Sequence, residues 1–342
     1  MVSKNKKLGV GVIGVGAIGR VHAKHVSGEI PQTSLVGIAD SFVDVAKRVG
    51  SELGVDEIYS DYNELLKNPE VEAIVIATPP FLKREIILKA AQAGKHVFVE
   101  KPMTLSLKEA DDIIREADSS GIKVQVGYQR RFDNSFLRAY QSIRSGEIGR
   151  ILLVTSCTRD PPGKPSGWSL DPKLSGGMML DTCSHDFDVI RWLAHDEVVR
   201  VYAHGVTIIY DEFKPGGIPD NVVITLDLKS GAIAHVDSCQ WTVYGYDVRA
   251  EVLGTDGAAF VGIGDKSSAT IMSKEGYKGE YPGTFIERFD QAYRDEVADF
   301  ANCVLENKPV KVTPRDGRAA MEIGLAADLS MKNDAPVTLP LN

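Results

Sequence analysis

The first part of the chain alternates short apolar segments with amphipathic helical segments. The apolar segments are rich in Val and Ile, as expected for strands that are covered on both faces. Helical patterns lie between them at 42–53, 82–93 and 107–119. This alternation predicts a doubly wound parallel sheet. The predicted strands are 8–13, 35–39, 73–77, 96–99 and 123–126.

The pattern changes near Gln129, where longer β-like segments begin and turn signals such as Lys229-Ser-Gly231 separate them. Hairpin connections of this kind favour a mostly antiparallel sheet. We therefore predict an α/β domain over 1–128 and an α+β domain, built on an open, mostly antiparallel sheet, over 129–342. The strands predicted for the second domain are 151–157, 199–210, 222–228, 232–240, 248–253 and 258–261, and its helices are 134–145, 289–306 and one that starts at 313–314.

A glycine-rich turn directly follows the first predicted strand. Gly14-x-Gly16-x-x-Gly19 lies between that strand and an amphipathic helical pattern. In this context Gly14 permits a tight turn, Gly16 lets the backbone approach a pyrophosphate, and Gly19 lets the helix pack against the strand. The first helical turn, with Ala17 and Ile18, presents unpaired N–H groups to the phosphates. The segment predicts a dinucleotide site on a Rossmann sheet.

An acidic residue ends the second predicted strand. Asp40 follows Gly19 by 21 positions, near the spacing at which a carboxylate binds the 2′-hydroxyl of the adenosine ribose. The same carboxylate would repel a 2′-phosphate, and Ser41 and Phe42 supply no positive charge. We therefore expect NAD rather than NADP as the cofactor. Asp40 also fits a second interpretation, as the cap of a helix that begins near Val43, and the two are compatible.

Four predicted strands end in residues that suit ligand binding. Ligands bind parallel sheets at the carboxyl ends of the strands. Gly14 and Asp40 follow two such ends, and Thr78-Pro79-Pro80 and Glu100-Lys101-Pro102 follow two more. All four therefore point to one crevice. The residues expected to contact the cofactor are Gly14, Gly16, Ala17, Ile18, Gly19, Asp40, Thr78, Pro79, Glu100 and Lys101.

Two segments carry residues suited to proton transfer. One holds Lys101; the other is Asp181-x-x-x-His185, whose i,i+4 spacing predicts that both side chains lie on one helix face, near Asp188. Oxidation of a secondary alcohol needs an acceptor for the hydroxyl proton, and histidine titrates near neutrality. A lysine ammonium stabilises negative charge developing on the oxygen, and a carboxylate orients the imidazole. Read alone, each residue also fits a structural role, as a surface lysine, a satisfied histidine or an ion-pair partner.

Composition excludes several classes of function. The chain has 342 residues, enough for two domains, and a net charge of −8, with no basic stretch that could follow a nucleic-acid backbone. Its 4 cysteines include no CxxC pair, which argues against a disulfide scaffold and a zinc finger. Cys183 and His185 are two possible metal ligands, but no third has plausible spacing, so we expect no metal.

The N-terminal residues imitate a secretory leader. Lys4, Lys6 and Lys7 precede an apolar run, but the glycines inside that run belong to the nucleotide turn. The chain has no apolar stretch of membrane-spanning length. We therefore expect a cytoplasmic protein with no membrane partner.

At these motifs the chain resembles the Gfo/Idh/MocA family of oxidoreductases over nearly its whole length. The matching segments are GVIGVGAIGRVHA (11–23), ATPP (77–80), GKHVFVEKP (94–102) and SGGMMLDTCSHDFDVIRWL (175–193). The resemblance implies that Lys101, Asp181 and His185 form the catalytic set. It also implies a cis peptide bond between Lys101 and Pro102.

Within the family the chain is most similar to inositol 2-dehydrogenases, at segments 127–133, 244–257 and 287–300. A polyol needs several fixed hydrogen-bonding partners around a neutral ring. Where inositol enzymes tend to carry a His and an Asn, this chain has Thr158 and Asp160, so an aldose, another inositol isomer or a sugar acid stays open as the substrate. The residues expected to contact the substrate are Lys101, Gln129, Arg130, Thr158, Asp160, Asp181, His185 and Tyr244.

Two further functions stay open: a non-catalytic sensor of NAD(H) and a sugar, and an enzyme that keeps its cofactor bound while it moves hydride between two sugars. A sensor is free to lose catalytic residues, whereas this chain retains all three. The second domain's sheet is expected to be covered on one face by the helix with Asp181 and His185, and on the other by another subunit. We therefore expect a homo-oligomer, either a dimer or a tetramer.

Overall fold

The computed structural model describes residues 6–262, 271–274, 276–278 and 280–341. Contacts divide the chain into two units. The first unit comprises Met1–Phe132 and Gln291–Ala319, and the second comprises Asp133–Asp290 and Ala320–Asn342. The predicted division between 128 and 129 differs from this in two respects. The first unit extends to Phe132, and it also includes the later segment Gln291–Ala319.

The first unit is built on a six-stranded sheet in which every strand pairing is parallel. Its strands are β1 (Leu8–Ile13), β2 (Thr33–Ala39), β3 (Ile58–Tyr59), β4 (Ala73–Ile76), β5 (His96–Glu100) and β6 (Val124–Gly127). The spatial order is β3-β2-β1-β4-β5-β6, so the winding direction reverses between β1 and β4. Ligands bind such sheets at the point of reversal. Strands β1 and β4 are buried at every position, which accounts for their uninterrupted apolar sequence.

Helices connect the strands of this sheet. They are α1 (Ala17–Lys24), which continues into a π-helical turn (His25–Glu29), α2 (Val43–Leu53), α3 (Tyr62–Lys67), α4 (Pro80–Gln92) and α5 (Leu107–Ser120), followed by a 3₁₀ turn (Gln129–Phe132). The side chains of Asp61 and Ser106 accept backbone N–H bonds at the starts of α3 and α5. Gly54 and Gly121, both left-handed, end α2 and α5.

The hydrophobic core of the first unit draws on two separate parts of the chain. Val12 and Val75 of the sheet are fully buried, and Val297, Phe300 and Ala301, each 1% exposed, belong to the same core. This packing is the physical reason why 291–319 belongs to the first unit. An amphipathic pattern shows that a helix has an apolar face, but it does not show which sheet that face covers.

The second unit is built on a seven-stranded sheet with the order β12-β11-β7-β10-β9-β8-β15. The strands of this part of the chain are β7 (Ile151–Arg159), β8 (Val198–Val206), β9 (Asn221–Leu228), β10 (Ile233–Cys239), β11 (Asp247–Gly254), β12 (Ala258–Val261), β13 (Ile271–Ser273), β14 (Gly276–Lys278) and β15 (Val337–Thr338). Within the large sheet, β7 and β10 are parallel and the other pairings are antiparallel. Strands β13 and β14 form a separate pair.

The remaining helices are α6 (Asn134–Arg144), α7 (Pro172–Ser175), α8 (Gly177–Asp181), α9 (Ser184–Ala194), α10 (Phe285–Leu305) and α11 (Pro314–Asn333), with 3₁₀ turns at Gly167–Leu170 and Asp211–Gly216. Helix α9 packs against β7. Tyr140 of α6 stacks on Trp192 of α9, with ring centroids 4.4 Å apart. No helix in the described part of the chain is both long and apolar enough to cross a bilayer.

The structure confirms the predicted fold class, a Rossmann sheet followed by a domain with a mostly antiparallel open sheet. The strand predicted over 199–210 ends at Val206, because the chain there turns towards the 3₁₀ turn Asp211–Gly216. The sequence patterns did not reveal the short strands β3 and β15, helix α3 or the β13–β14 pair. Segments of two to six residues are too short to show a clear period.

Candidate active site

The glycine turn between β1 and α1 has little room for side chains at two of its three glycines. Gly14 has a φ of +84°, and a Cβ there would lie 3.0 Å from the carbonyl carbon of Ala77. A Cβ on Gly19 would lie 1.9 Å from the backbone oxygen of Gly14. Helix α1 can therefore approach β1 closely only because residue 19 is glycine, as the motif predicts.

The middle glycine faces open space. A Cβ on Gly16 would meet nothing within 4 Å, and Gly16 and Ala17 are both exposed at the start of α1, with Ile18 partly exposed beside them. The turn therefore leaves the backbone bare where a pyrophosphate would approach the N–H groups of the helix. This cradle fits a dinucleotide, and it would hold the phosphates through backbone donors rather than through side-chain cations.

Asp40 joins the end of β2 to the glycine turn. Its Oδ2 accepts a hydrogen bond of 2.9 Å from the backbone N–H of Val15. Its Oδ1 accepts another of 2.9 Å from the N–H of Phe42, the residue before α2. The carboxylate therefore lies beside the nucleotide turn. The interpretation of Asp40 as the cap of α2 was wrong, because Phe42 is the N-cap residue and no side chain among the described residues bonds the N–H groups of the first helical turn.

We expect Asp40→Ser to lower the preference for NAD over NADP. The substitution removes the charge that repels a 2′-phosphate and a charge-assisted hydrogen-bond acceptor for the ribose, so the KM for NAD should rise by about 10-fold. The measurement is KM for both cofactors, with Asp44→Ser on the exposed side of α2 as the matched control. An unchanged ratio of the two kcat/KM values would remove Asp40 from cofactor selection.

Thr78 and Pro79 lie beside the glycine turn, at the end of β4. The Cγ2 of Thr78 would be 3.1 Å from a Cβ on Gly14, and Ala77 donates its N–H to the carbonyl of Ile13 at 2.9 Å. Pro79 precedes α4, and Pro80 occupies its first turn. Thr78 Oγ1 is buried and has no hydrogen-bond partner among the described residues. The ends of β1, β2 and β4 thus bring together the predicted cofactor residues that follow these three strands.

Lys101 directly follows β5 and is partly buried. The peptide bond between Lys101 and Pro102 is cis, as the family resemblance implies. Lys101 therefore lies at the carboxyl edge of the sheet, the same edge as the glycine turn and Asp40.

The Glu100 side chain is buried and bonded to a side chain of α1. Its Oε1 lies 2.7 Å from Nε2 of His22 on α1, and Glu100 is 6% exposed. The carboxylate of Glu100 is therefore held inside the first unit by its hydrogen bond with His22, while its backbone ends β5 at the carboxyl edge of the sheet.

A second buried carboxylate lies beside this pair. The ligand atoms of His22, Glu100 and Glu296 are all within 4.8 Å of one another. Burial, together with the charge of Glu100, raises the pKa of Glu296 well above its ordinary value. The neutral acid is therefore favoured, since two adjacent buried carboxylates cannot both ionise cheaply. Neither oxygen of Glu296 has a hydrogen-bond partner within the part of the chain that the structure describes.

Gln129 and Arg130 lie in the 3₁₀ turn that follows β6, and each is 1% exposed. The amide nitrogen of Gln129 donates to the hydroxyl of Tyr293 at 3.2 Å. The structure assigns both residues to the first unit, not to the second domain as predicted.

Asp181 and His185 do not share one continuous helix. Asp181 is the last residue of α8 and is exposed, whereas His185 lies in α9 and is 8% exposed. Between them, the N–H of Cys183 donates to the carbonyl of Met178 at 3.0 Å, a bond that reaches back five residues instead of four. The two residues therefore belong to consecutive helices, because the hydrogen-bond register changes between them. Asp188, expected on the same helix face as both, is buried at 1% exposure.

A buried polar cluster ties the start of α9 to β7. Asp186, next to His185, accepts hydrogen bonds from Ser156 Oγ at 2.6 Å and from Thr158 Oγ1 at 2.8 Å. All three polar side chains are buried. The Thr158 hydroxyl, predicted to bind substrate, is therefore engaged within the second unit, where it helps to fix the backbone that carries His185.

Asp160 and Tyr244, the other predicted substrate residues, lie near the ends of β7 and β11. The backbone of Asp160 bonds to Cys239 and Thr242. The hydroxyl of Tyr244 donates to Asp247 at 2.8 Å, and burial raises the pKa of this phenol. The structure therefore places Tyr244 in a network of charged side chains on the sheet.

Both parts of the chain match models of known protein families. Residues 8–128 match a family model described as an oxidoreductase family with an NAD-binding Rossmann fold, and residues 136–260 match the GFO/IDH/MocA C-terminal domain. The chain belongs to the Gfo/Idh/MocA oxidoreductase family. Its first unit is accordingly an NAD-binding Rossmann domain, in agreement with the open cradle at Gly16.

Curated relatives of this Gfo/Idh/MocA protein align with almost its whole length. It is 36% identical to scyllo-inositol 2-dehydrogenase (NAD(+)) from Bacillus subtilis, with 96% of this chain and 95% of that protein covered. It is 33% identical to myo-inositol 2-dehydrogenase from Thermotoga maritima, with 96% and 98% covered.

A similar solved structure is that of scyllo-inositol dehydrogenase from Lactobacillus casei with bound NAD(H) and scyllo-inositol. It superposes with a TM-score of 0.91 at 28% identity, covering 97% of this chain and 99% of the other. Similarity at this level extends through both units of the fold.

The sequence patterns of this Gfo/Idh/MocA protein did not indicate two members of the buried cluster of His22, Glu100 and Glu296. His22 lies three positions after Gly19 on the inward face of α1, and Glu296 lies on α10. A charged residue on the buried face of an amphipathic helix was the available signal for Glu296. Nothing in its spacing indicates that its neighbour is Glu100, which is far away in the sequence.

Proposed function

We propose that this protein oxidises one secondary hydroxyl of an inositol ring to a ketone, with NAD as the cofactor, in the manner of a myo-inositol 2-dehydrogenase. The observation that carries the proposal is the near-complete coverage of the chain by relatives named inositol 2-dehydrogenase, at 36% and 33% identity. The residues needed for the chemistry are all present. They are Lys101 after β5, and Asp181 and His185 around the start of α9.

We propose the following roles in proton transfer. His185 accepts the hydroxyl proton as the carbonyl forms, and the Lys101 ammonium stabilises negative charge on the same oxygen. Asp181 orients the imidazole and stabilises its cationic form. NAD, when bound, supplies the nicotinamide ring that accepts the hydride. The proton therefore leaves through the protein and the hydride through the cofactor, which balances the two-electron oxidation.

The packing around His185 supports this assignment. The buried hydrogen bonds from Ser156 and Thr158 to Asp186 hold the first turn of α9 against β7. A catalytic base is effective only when the backbone that carries it is fixed. The exposed position of Asp181 leaves it able to contact solvent or ligand as well as a neighbouring side chain.

We also propose that Gln129, Arg130, Thr158, Asp160 and Tyr244 contribute to substrate recognition. Buried amide and guanidinium groups, such as those of Gln129 and Arg130, suit a polyol because they supply fixed donors. Thr158 and Tyr244 already donate their hydroxyls to carboxylates of the second unit. We therefore propose that these two act through those partners or accept bonds from the sugar.

The test is NADH formation from NAD with myo-inositol, scyllo-inositol, D-glucose and D-galactose in parallel, each repeated with NADP. A higher kcat/KM for an inositol with NAD supports the proposal. A higher value for an aldose would keep the reaction but replace the substrate. Absence of turnover on all four, with NAD binding intact, would contradict the inositol assignment and favour a sensor. Nicotinamide absorbance in the purified protein would indicate a retained cofactor.

We propose that the protein is a cytoplasmic homo-oligomer, a dimer or a homotetramer, formed through the open face of the second unit's sheet. The strand registers place several exposed apolar side chains on one face of that sheet. Exposed apolar side chains that are grouped on one face of a sheet are often covered by a partner. Light scattering after gel filtration tests the proposal, and Val223→Asp, at a half-exposed position of β9, should lower the measured mass. The exposed residues are Tyr202, Val223, Ile233, Leu253 and Phe260.

A further inference from the structure

A lysine occupies a core position of α4. Lys83 is 2% exposed and lies on the same buried face as Ile86, Ile87 and Ala90. The spacing of these four residues is that of an apolar helical stripe, in which a lysine breaks the pattern. Lysine is almost never fully buried unless its ammonium is satisfied. A residue that departs in this way from the expected apolar pattern often lies at a functional position.

The ammonium of Lys83 is satisfied by three successive backbone carbonyls. Its Nζ donates to the oxygens of Glu100, Lys101 and Pro102 at 2.7, 3.1 and 3.0 Å. An ammonium has three N–H donors, so the number of donors matches the number of carbonyls. Three consecutive carbonyls can converge on one atom only if the chain curves around it, and Lys83 therefore holds the curve that follows β5.

Lys101 is the central residue of this curve. The carbonyls bound by Lys83 belong to Lys101 itself and to the residues on either side of it. On the N-terminal side, the Glu100 side chain is also fixed, through its 2.7 Å contact with His22. The backbone of Lys101 is thus restrained on both sides, and rotations of its side chain start from a fixed Cα.

We propose that Lys83 is a positioning residue, which holds the backbone of Lys101 so that the Lys101 ammonium meets the reacting hydroxyl. This rests on the catalytic role proposed for Lys101. A displacement of about 1 Å at a catalytic group can lower the rate by as much as ~10²-fold. Lys83 takes no part in the reaction itself. It acts by fixing the position of Lys101.

The first test compares Lys83→Met with Lys89→Met. Methionine keeps the length and apolar stem of lysine but donates no hydrogen bond. Lys89 lies on the same helix and pairs with Glu85 at the surface. We expect Lys83→Met to lower kcat by at least ~10-fold while the Kd for NAD is unchanged, and Lys89→Met to match the parent protein. A folded Lys83→Met enzyme with the parent kcat would overturn the proposal.

The second test is a double-mutant cycle with Lys101→Met. If Lys83 acts through Lys101, adding Lys83→Met to Lys101→Met causes no further loss of kcat. Losses that multiply would show that Lys83 supports the fold in general and would overturn the positioning role. If Lys101→Met keeps full activity, it is the proposed function of Lys101 that fails. If Lys101→Met is inactive and Lys83→Met is normal, only the present inference fails.

Stability is followed in parallel, because Lys83→Met leaves three carbonyls without their donor. Lys83→Gln keeps two N–H donors on a side chain that is one bond shorter than that of lysine, and it should recover part of the lost kcat. If Lys83→Met does not fold, the cycle is run with Lys83→Gln. Failure of both variants to fold would assign Lys83 to stability alone and would overturn the proposal.

Discussion

Replacing Lys101 by methionine should lower kcat by at least ~10²-fold, the lower end of the range for acid–base catalysis. Methionine preserves the volume of the lysine stem and removes the ammonium, so the developing alkoxide loses its nearest proposed positive charge. The measurement is the steady-state rate of NADH formation with saturating NAD and the substrate preferred in the panel. NAD affinity, measured by quenching of tryptophan fluorescence, should stay at the parent value, because the cofactor is held mainly at the glycine turn.

Lys108→Met is the matched control for this variant. Lys108 is an exposed lysine at the start of α5, in the same unit, and its loss should leave both kcat and NAD binding unchanged. Near-normal turnover in Lys101→Met would refute the role proposed for Lys101. A loss of NAD binding equal to the loss of turnover would instead limit Lys101 to its predicted cofactor contact and refute its role in catalysis.

His185→Ala is the second substitution for which we expect a large effect, again a fall in kcat of at least ~10²-fold. Without the imidazole the hydroxyl proton has no acceptor of suitable basicity. Added imidazole should restore part of the rate, because a small base can occupy the space that alanine leaves. The measurement is kcat across a series of imidazole concentrations at constant pH.

The matched control for His185→Ala is His204→Ala on β8, since His204 is an exposed histidine of the same unit. That variant should keep the parent rate and should not respond to imidazole. If His185→Ala turned over normally, another group would have to accept the proton. The same conclusion would follow if imidazole restored none of its lost rate and its pH–rate profile matched the parent.

Features of the fold that depend on local chemistry could be predicted. Strands β1 and β4 of the parallel sheet are buried at every position, and their continuous apolar sequence reflects this directly. The glycine turn was equally readable, since Gly14 has a positive φ and a Cβ on Gly19 would overlap the Gly14 carbonyl. In both cases a property of single residues determines the structure, with no need to know what lies opposite.

Features that depend on distant partners could not be predicted. His22 and Glu100 are 78 positions apart in the chain, and their pairing has no counterpart in any local spacing. The break between Asp181 and His185 was hidden for a different reason. Thr182 and Cys183 both keep helical backbone angles, so the i,i+4 pattern persists although the hydrogen bonds change register. For Lys83, the sequence showed a lysine within an apolar helical stripe. Its role could not be predicted, because that role depends on the backbone carbonyls that its ammonium contacts.

The return of residues 291–319 to the first unit has a practical consequence for recombining this protein with its relatives. A fragment that stops at Phe132 would lack Val297, Phe300 and Ala301, which are buried in the core of the Rossmann domain. Burial of a Val or Phe side chain contributes about 1.5–3 kcal/mol, so the loss would consume a large part of a typical stability of about 5–15 kcal/mol. A chimera with a single junction after Phe132 would pair this protein's sheet with a relative's version of 291–319, so its core should pack less well. Two junctions, placed on either side of Asp133–Asp290, would exchange residues of the second unit and leave the cofactor domain with its own core.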